Sequence, residues 1–234
     1  MINCMMTKGK LVVIEGTDGS GKGTQAQLLQ EYLKTSHIPF SLFDFPQYYK
    51  TIFGRWIGRF LKGDFGTIEK NHPYIVMFPY AADRWQAKPD IERALEEGKI
   101  VISNRYTSSA SYQAARLPRD EQMKFIDWSY SVEYEAFGIP REDIVLFLYV
   151  PHAVSQRLIE QKNNRKYMGN AKKKDIHESN EKLMREVELV YLRLAKRFPH
   201  WVMIDCTKNG EILSKDDIHQ KVLSVLKRKK ILPS

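Results

Sequence analysis

Cysteine is scarce: Cys4 and Cys206 are the two in 234 residues. They have neither metal-ligand nor redox-pair spacing, which excludes a disulfide scaffold, a cysteine zinc site and dithiol chemistry. Two reduced thiols without a catalytic role are expected. Long apolar runs are absent too, since nothing approaches the roughly 18 consecutive apolar residues of a membrane-spanning helix. Met1 to Lys10 lacks the apolar core of a secretory signal, so a cytoplasmic protein with no membrane partner is expected. There is no internal repeat and no low-complexity tract. Acidic residues are in deficit, 28 Asp and Glu against 37 Lys and Arg, for a net charge of +9. The excess suits a phosphate-bearing partner. It gathers in Arg165 to Lys174 and Lys227 to Lys230 rather than along an aromatic-studded face, so no nucleic acid is expected. A chain of this length that is 43% hydrophobic can bury a substantial core. One domain over 1–234 is the economical reading.

What is present centres on Leu11 to Thr24, where a short apolar strand runs into a glycine-rich turn, a lysine and a helical pattern. Gly16, Gly21 and Lys22 satisfy G-x-x-x-x-G-K. Through Gly16, Thr17, Asp18, Gly19, Ser20, Gly21, Lys22, Gly23 and Thr24 the backbone N–H groups can curl around a phosphate. The helix adds its positive end, and Lys22 reaches the outer phosphates. ATP is the expected ligand. Ala26, Leu28, Leu29, Tyr32 and Leu33 give the following helix its apolar face. One position departs from the signature: Gly23 stands where Ser or Thr ordinarily holds magnesium. Thr24 lies one residue on, rotated by about 100°, which leaves open which group touches the metal.

Four further strands are predicted at Phe40 to Phe45, Ile100 to Ile102, Ile144 to Val150 and Trp201 to Ile204. The spacing predicts helices over Ile52 to Leu61, Pro73 to Trp85, Lys88 to Glu97, Arg119 to Phe137, Val154 to Gln161 and Asp175 to Phe198, and a terminal one carrying Ile218, Val222, Leu223 and Leu226. This alternation, with strands apolar on both faces, is that of a covered parallel sheet. In such sheets the ligand gathers loops at the carboxyl ends of strands. Phe45, Pro46, Gln47 and Tyr48 belong there, with Tyr48 either bonding a phosphate or packing. Tyr80 and Arg84, four apart on one helix face, can stack a base and bond its edge, or serve as a core aromatic beside a surface arginine. Asn104, Arg105 and Tyr106 end the third strand, where the arginine fork can clamp a phosphate. Ser108, Ser109, Ser111, Tyr112 and Gln113 offer hydroxyls and an amide, or start a helix. The polar, basic segment 162–174 is either a solvated loop or a lid whose cations close over a transferring phosphoryl group.

Taken in order, these pieces resemble the nucleoside monophosphate kinases, and within them the thymidylate kinases, over nearly the whole chain. The resemblance rests on Glu15 to Lys22, Phe45-Pro46-Gln47-Tyr48, Ala82-Asp83-Arg84, Arg105-Tyr106 with Tyr112-Gln113 behind it, and Tyr149-Val150-Pro151. It implies a three-layer α/β/α phosphate-loop fold with a five-stranded parallel sheet, helices on both faces and a basic lid at about 162–175. The implied activity is ATP-dependent phosphorylation of dTMP to dTDP with Mg2+, in a homodimer. As alternatives, the Gly23-Thr24-Gln25 wording favours AMP or UMP/CMP as acceptor, and a nucleotide-binding regulatory protein would retain the loop without fast turnover. By resemblance, Asp18 contacts the acceptor sugar or its phosphate, Lys22 the donor phosphates, and Phe45 and Tyr48 the sugar and acceptor phosphate. Tyr80 would stack on thymine, Arg84 read it and Arg105 clamp the acceptor, with Tyr112 and Gln113 nearby. Ser20 stands where some members carry an arginine, which implies that the lid supplies it as Arg165. Asn104 stands where the family usually has an aspartate near the metal, so Thr24 and Asn104 are the metal candidates.

Overall fold

The computed structural model describes residues 8–155 and 181–233. Its centre is a sheet of five parallel strands in the order β2-β3-β1-β4-β5: β1 Lys10–Glu15, β2 Phe40–Asp44, β3 Ile100–Asn104, β4 Ile144–Tyr149 and β5 Trp201–Asp205. The β-branched runs in β1, β3 and β4 put successive side chains on opposite faces. Leu11, Val13, Val101, Val145 and Phe147 join one core, while Val12, Ile14, Ile102, Leu146 and Leu148 join the other. Each fully buried aliphatic side chain contributes about 1.5–3 kcal/mol, so both faces must be covered.

The second core is covered chiefly by two helices among the described residues. The helix α1 (Lys22–Thr35) brings Ala26, Leu29 and Leu33, and a C-terminal helix, Lys215–Arg228, brings Ile218, Val222 and Leu226. The latter starts where Ser214 accepts the Asp217 N–H at 3.0 Å, a side-chain N-cap. Over the first core lie α3 (Pro73–Glu96), the short α4 (Ser111–Ala114), α5 (Arg119–Tyr130) and α6 (Glu181–Arg197), which makes the C-terminal helix α7. The helix α2 (Ile52–Lys62) builds a satellite cluster from Ile57, Phe60 and Leu61 against Val76 of α3. The expected three layers and five parallel strands are therefore present.

Some local expectations need correction or fall outside what is described. Pro73 to Trp85 and Lys88 to Glu97, read as separate helices, form one 24-residue helix that passes through Pro79 and Pro89. Each proline removes one ladder bond, but Val76, Met77, Ala81, Ala87, Ile91 and Leu95 stay buried along the helix, and packing outweighs the local loss. The helix expected over Arg119 to Phe137 is α-helical only to Tyr130 and continues as a π-helical turn, Ser131–Ala136. The wider turn explains the mixed apolar spacing there and aims Glu133 inward, where it is fully buried. A two-stranded hairpin, Thr207–Lys208 with Glu211–Ile212, follows β5 and was not anticipated. The segment 162–175, and most of the helix expected over Val154 to Gln161, lie outside the described residues.

Glu15, the last residue of β1, holds the carboxyl end of the sheet together. It is fully buried, and its Oε1 accepts from the Tyr106 N–H at 2.9 Å, Ser109 Oγ at 2.9 Å and Ser108 Oγ at 3.1 Å. Its Oε2 accepts from the Tyr191 hydroxyl of α6 at 2.8 Å. One carboxylate thereby fastens the strand that leads into the phosphate loop to the loop after β3 and to α6. Cys206 is likewise buried, and its thiol is pushed up to about 12, chiefly by burial, which suits an inert side chain.

Candidate functional site

The loop from Gly16 to Gly21 leaves β1 and turns through glycines that are sterically required. Gly16 has φ 152°, and a Cβ there would sit 2.7 Å from the Leu148 carbonyl oxygen. Gly21 precedes α1 in the left-handed region at φ 87°, without a side-chain cap, so the first N–H groups of α1 are left for a ligand. Lys22 folds over this loop, its Nζ donating to the carbonyls of Gly16 at 2.9 Å and Thr17 at 2.7 Å. The buried hydroxyls of Thr17 and Ser20 have no hydrogen-bond partner among the described residues.

From Asp18 the wall continues to the loop after β3. Asp18 accepts from Arg105 Nη2 and, at 3.0 Å, from the Tyr112 hydroxyl, and the Arg105 guanidinium lies 5.2 Å from the centre of the Tyr112 ring. Arg105 adopts φ 67°, unusual for a residue with a side chain and a form of strain typical of functional sites. Its N–H donates to the Ile14 carbonyl at 3.0 Å and its carbonyl accepts from Ser103 Oγ, which holds it there. Burial opposes the charge on Arg105, but Tyr112 and Asp18 outweigh it and lift the guanidinium well above its usual pKa. The Tyr112 hydroxyl is raised well above the ordinary phenol by burial and by Asp18, so it remains a donor.

The same cleft is lined by Phe45, Pro46 and Tyr48 after β2, by Tyr80 and Arg84 of α3, and by Gln113, together with Asp18, Lys22, Gly23, Asp44, Asn104 and Arg105. Tyr48 and Tyr80 both pack against the satellite cluster and face the cleft, so packing and lining are one arrangement. The Phe45–Pro46 peptide is cis. The loop it opens is pinned to α3 by Asp83, which accepts from the Gln47 N–H at 2.8 Å and from Thr51 Oγ1. Gln113 is oriented by Arg116, which also bonds the carbonyls of Ile68 and Asn71.

Arg84 is not the surface arginine of the plainer reading. It is 2% exposed, and Glu133 from the π-helical turn binds its Nε and, at 2.7 Å, its Nη2. Burial works against the charge on Arg84, but Glu133 overcomes it and the guanidinium is raised above its usual value. These bonds leave the Nη1 corner of the fork over. Neither Glu133 nor Asp44 was singled out from the sequence. Glu133 lies 49 residues from Arg84 and carries no local signal; Asp44, at the end of a predicted parallel strand, was within reach of the carboxyl-end rule.

Of the two metal candidates, Asn104 lines the cleft and Thr24 is not among the lining residues. Asn104 Nδ2 donates to Asp44 Oδ1 at 2.7 Å, while Asn104 Oδ1 is shut off from solvent with no donor among the described residues. Oxygen donors of this kind fit Mg2+, which takes one or two carboxylates and completes its shell with waters and substrate phosphates. Among the described residues there is no cage of three or more acidic, His or Cys groups. Arg165, Lys166 and Lys172 lie outside the described residues.

The Arg84–Glu133 pair yields a stability prediction. Glu133→Ala leaves a guanidinium uncompensated in a dry site and should lower the unfolding free energy by about 3–5 kcal/mol. Glu133→Gln, which keeps the shape and one acceptor, should lose less. Urea unfolding of the two variants checks this; an alanine variant with the wild-type midpoint would mean that Arg84 finds another partner.

Comparison with known proteins agrees with this geometry. The family model described as thymidylate kinase matches residues 14–218. The chain is 27% identical over 220 residues to the thymidylate kinase of Schizosaccharomyces pombe, covering 94% of this chain and 92% of that one. It is 29% identical to the thymidylate kinase of Plasmodium falciparum, at 97% and 93% coverage, and 32% identical to a probable thymidylate kinase of Thermococcus onnurineus, at 92% and 96%. The fold matches the solved thymidylate kinase of Candida albicans with a TM-score of 0.72 at 22% identity, over 96% of this chain and 93% of that one. Agreement in sequence along nearly its full length, and in the arrangement of strands and loops, means that this chain belongs to the thymidylate kinase family.

Proposed function

We propose that the chain transfers the γ-phosphoryl group of ATP, accompanied by Mg2+, to the 5′-phosphate of dTMP, giving dTDP and ADP. The observation that carries this reading is the convergence of two anion-binding ends on one cleft: the loop with Lys22, and Arg105 opposite it, with Tyr80 and Arg84 beyond. The acceptor is already an anion at neutral pH, so the protein needs no strong base; positioning and charge neutralisation dominate. A phosphate entering the loop offers Lys22 Nζ an anionic oxygen in place of two neutral carbonyls, and the uncapped N–H groups of α1 face the same charge. When bound, Mg2+ would supply charge neutralisation on the donor phosphates.

At the acceptor end, Arg105 arrives already charged and held by Asp18, which limits the freedom it loses on gripping a phosphate. Tyr112 keeps Asp18 in place, and Phe45 and Tyr48 border the sugar. Tyr80 offers its ring to thymine. With Nε and Nη2 committed to Glu133, Arg84 has its remaining corner for the base edge, and the pairing fixes where that corner points. Arg165 is the lid cation proposed to spread charge on the transferring group.

A homodimer is part of the same reading. On α3, Ile75, Phe78 and Trp85 are 67%, 43% and 50% exposed, and they follow one another at helical spacing on the flank away from the cleft-lining Tyr80 and Arg84. An apolar stripe of this kind is what a second copy would cover. A cytoplasmic location is part of the same reading.

Initial rates of ADP formation with ATP, Mg2+ and each of dTMP, dUMP, AMP, UMP and CMP test the activity. dTMP should give the highest kcat/KM, and a preference for AMP or CMP would replace this reading with its nearest rival. In the same assay Arg165→Ala should lower kcat by on the order of 10³-fold or more with little change in nucleotide affinity; unchanged turnover would remove Arg165 from the role. For the dimer, sedimentation velocity should show wild type at twice the chain mass and Trp85→Glu shifted toward the monomer, and a wild-type monomer at micromolar concentration would refute it.

A further inference from the structure

We propose that Asp44, with Asn104 as its positioning partner, supplies the negative charge through which this chain holds the Mg2+ of its nucleotide, a role moved one strand outward in the sheet. The proposal rests on the ATP-dependent reading above. It starts from two departures in the same place: position 23 is glycine, without a hydroxyl, and position 104 carries an amide rather than an acid. Both subtract an oxygen donor from the first turn of α1 and the end of β3.

The sheet shows what takes their place. In the β2–β3 register Asp44 lies opposite Asn104, and in the β1–β3 register Asn104 lies opposite Ile14. Asp44 and Asn104 thus share one row with the strand that runs into the phosphate loop, and both line the cleft with Lys22 and Gly23. Asn104 Nδ2 donates to Asp44 Oδ1 at 2.7 Å. A Cβ on Gly23 would lie 3.9 Å from that same nitrogen, which places the pair against the start of α1. Asp18 is bonded to Arg105 and Tyr112, and Glu15 to four donors.

The amide follows from the acid beside it. Two carboxylates at hydrogen-bond distance repel and cannot both carry full charge, so an aspartate at 104 facing Asp44 would weaken both. Asparagine turns that contact into a donated hydrogen bond that orients Asp44. It also leaves Asn104 Oδ1 with no solvent and no donor among the described residues, a cost of about 1–3 kcal/mol for a buried polar atom that a cation nearby would offset. A single carboxylate is enough for a metal whose remaining ligands are waters and phosphate oxygens.

The test measures metal binding rather than turnover. Mn2+, a paramagnetic substitute for Mg2+, is titrated into the full-length protein saturated with ADP and its free concentration read by electron paramagnetic resonance. ADP affinity in EDTA is measured alongside. Asp44→Asn should weaken Mn2+ binding roughly 10- to 100-fold while ADP affinity in EDTA stays within about twofold of wild type, which a merely structural role would not produce. The exchange Asp44→Asn with Asn104→Asp returns the acid to the end of β3 and should recover most of the loss. An unchanged Mn2+ affinity in Asp44→Asn, or an equal loss of metal-free ADP binding, overturns the proposal. Wild-type protein that binds no ADP would overturn the kinase reading and this proposal with it. Protein that binds ADP and Mn2+, phosphorylates dTMP and is indifferent to Asp44→Asn would overturn this proposal alone.

Discussion

A carboxylate with no access to water must be surrounded by donors, and Glu15 imposes that requirement on the whole active end of the molecule. Its four donors come from Tyr106, Ser108, Ser109 and Tyr191. The phosphate loop, the turn after β3 and α6 therefore cannot shift independently without leaving one of these groups unpaired, at about 1–3 kcal/mol each. Arg105 immediately precedes Tyr106, so the same constraint sets where this cleft-lining arginine stands. The strained backbone at Arg105 is tolerated because its surroundings over-determine it.

Each arginine that lines the cleft has its own acid. Arg105 is matched by Asp18 and Arg84 by Glu133, and both sites keep their charge against desolvation because of their neighbours. Such pairs contribute little net stability beyond what apolar packing would give. Their value lies in pre-organisation, with dipoles and charges fixed before the nucleotides arrive, so that little reorganisation accompanies the reaction. Phosphoryl transfer between two anions benefits directly, because most of the catalytic task is to hold them in line.

The parts of this arrangement that are contiguous in sequence were legible there. Strand β1, its glycines and Lys22 form a local pattern. Arg105 was found because it follows a β-branched run by three residues, and Tyr80 with Arg84 because helical spacing puts them on one side. What the sequence concealed is non-local. Nothing near Arg84 announces Glu133, and nothing near Asp44 announces that its register neighbour is Asn104. The continuous α3 was hidden because Pro89, directly after Lys88, reads as the first turn of a new helix, a signal that burial along Val76 to Leu95 overrides. The same competition explains the segment after Tyr130, where an α-helical period stops describing the apolar spacing.

The π-helical turn at Ser131–Ala136 contributes no residue to the lining of the cleft, yet it determines which way Glu133 points. A wider turn accommodates one more residue than an α-helical one in the same span. Deleting Ser131 or Val132 would rotate the side chains downstream of the cut, Glu133 included, by about 100° and leave Arg84 facing a different group. This stretch should therefore tolerate changes of residue type at its exposed positions far better than changes of length, which would part Glu133 from Arg84.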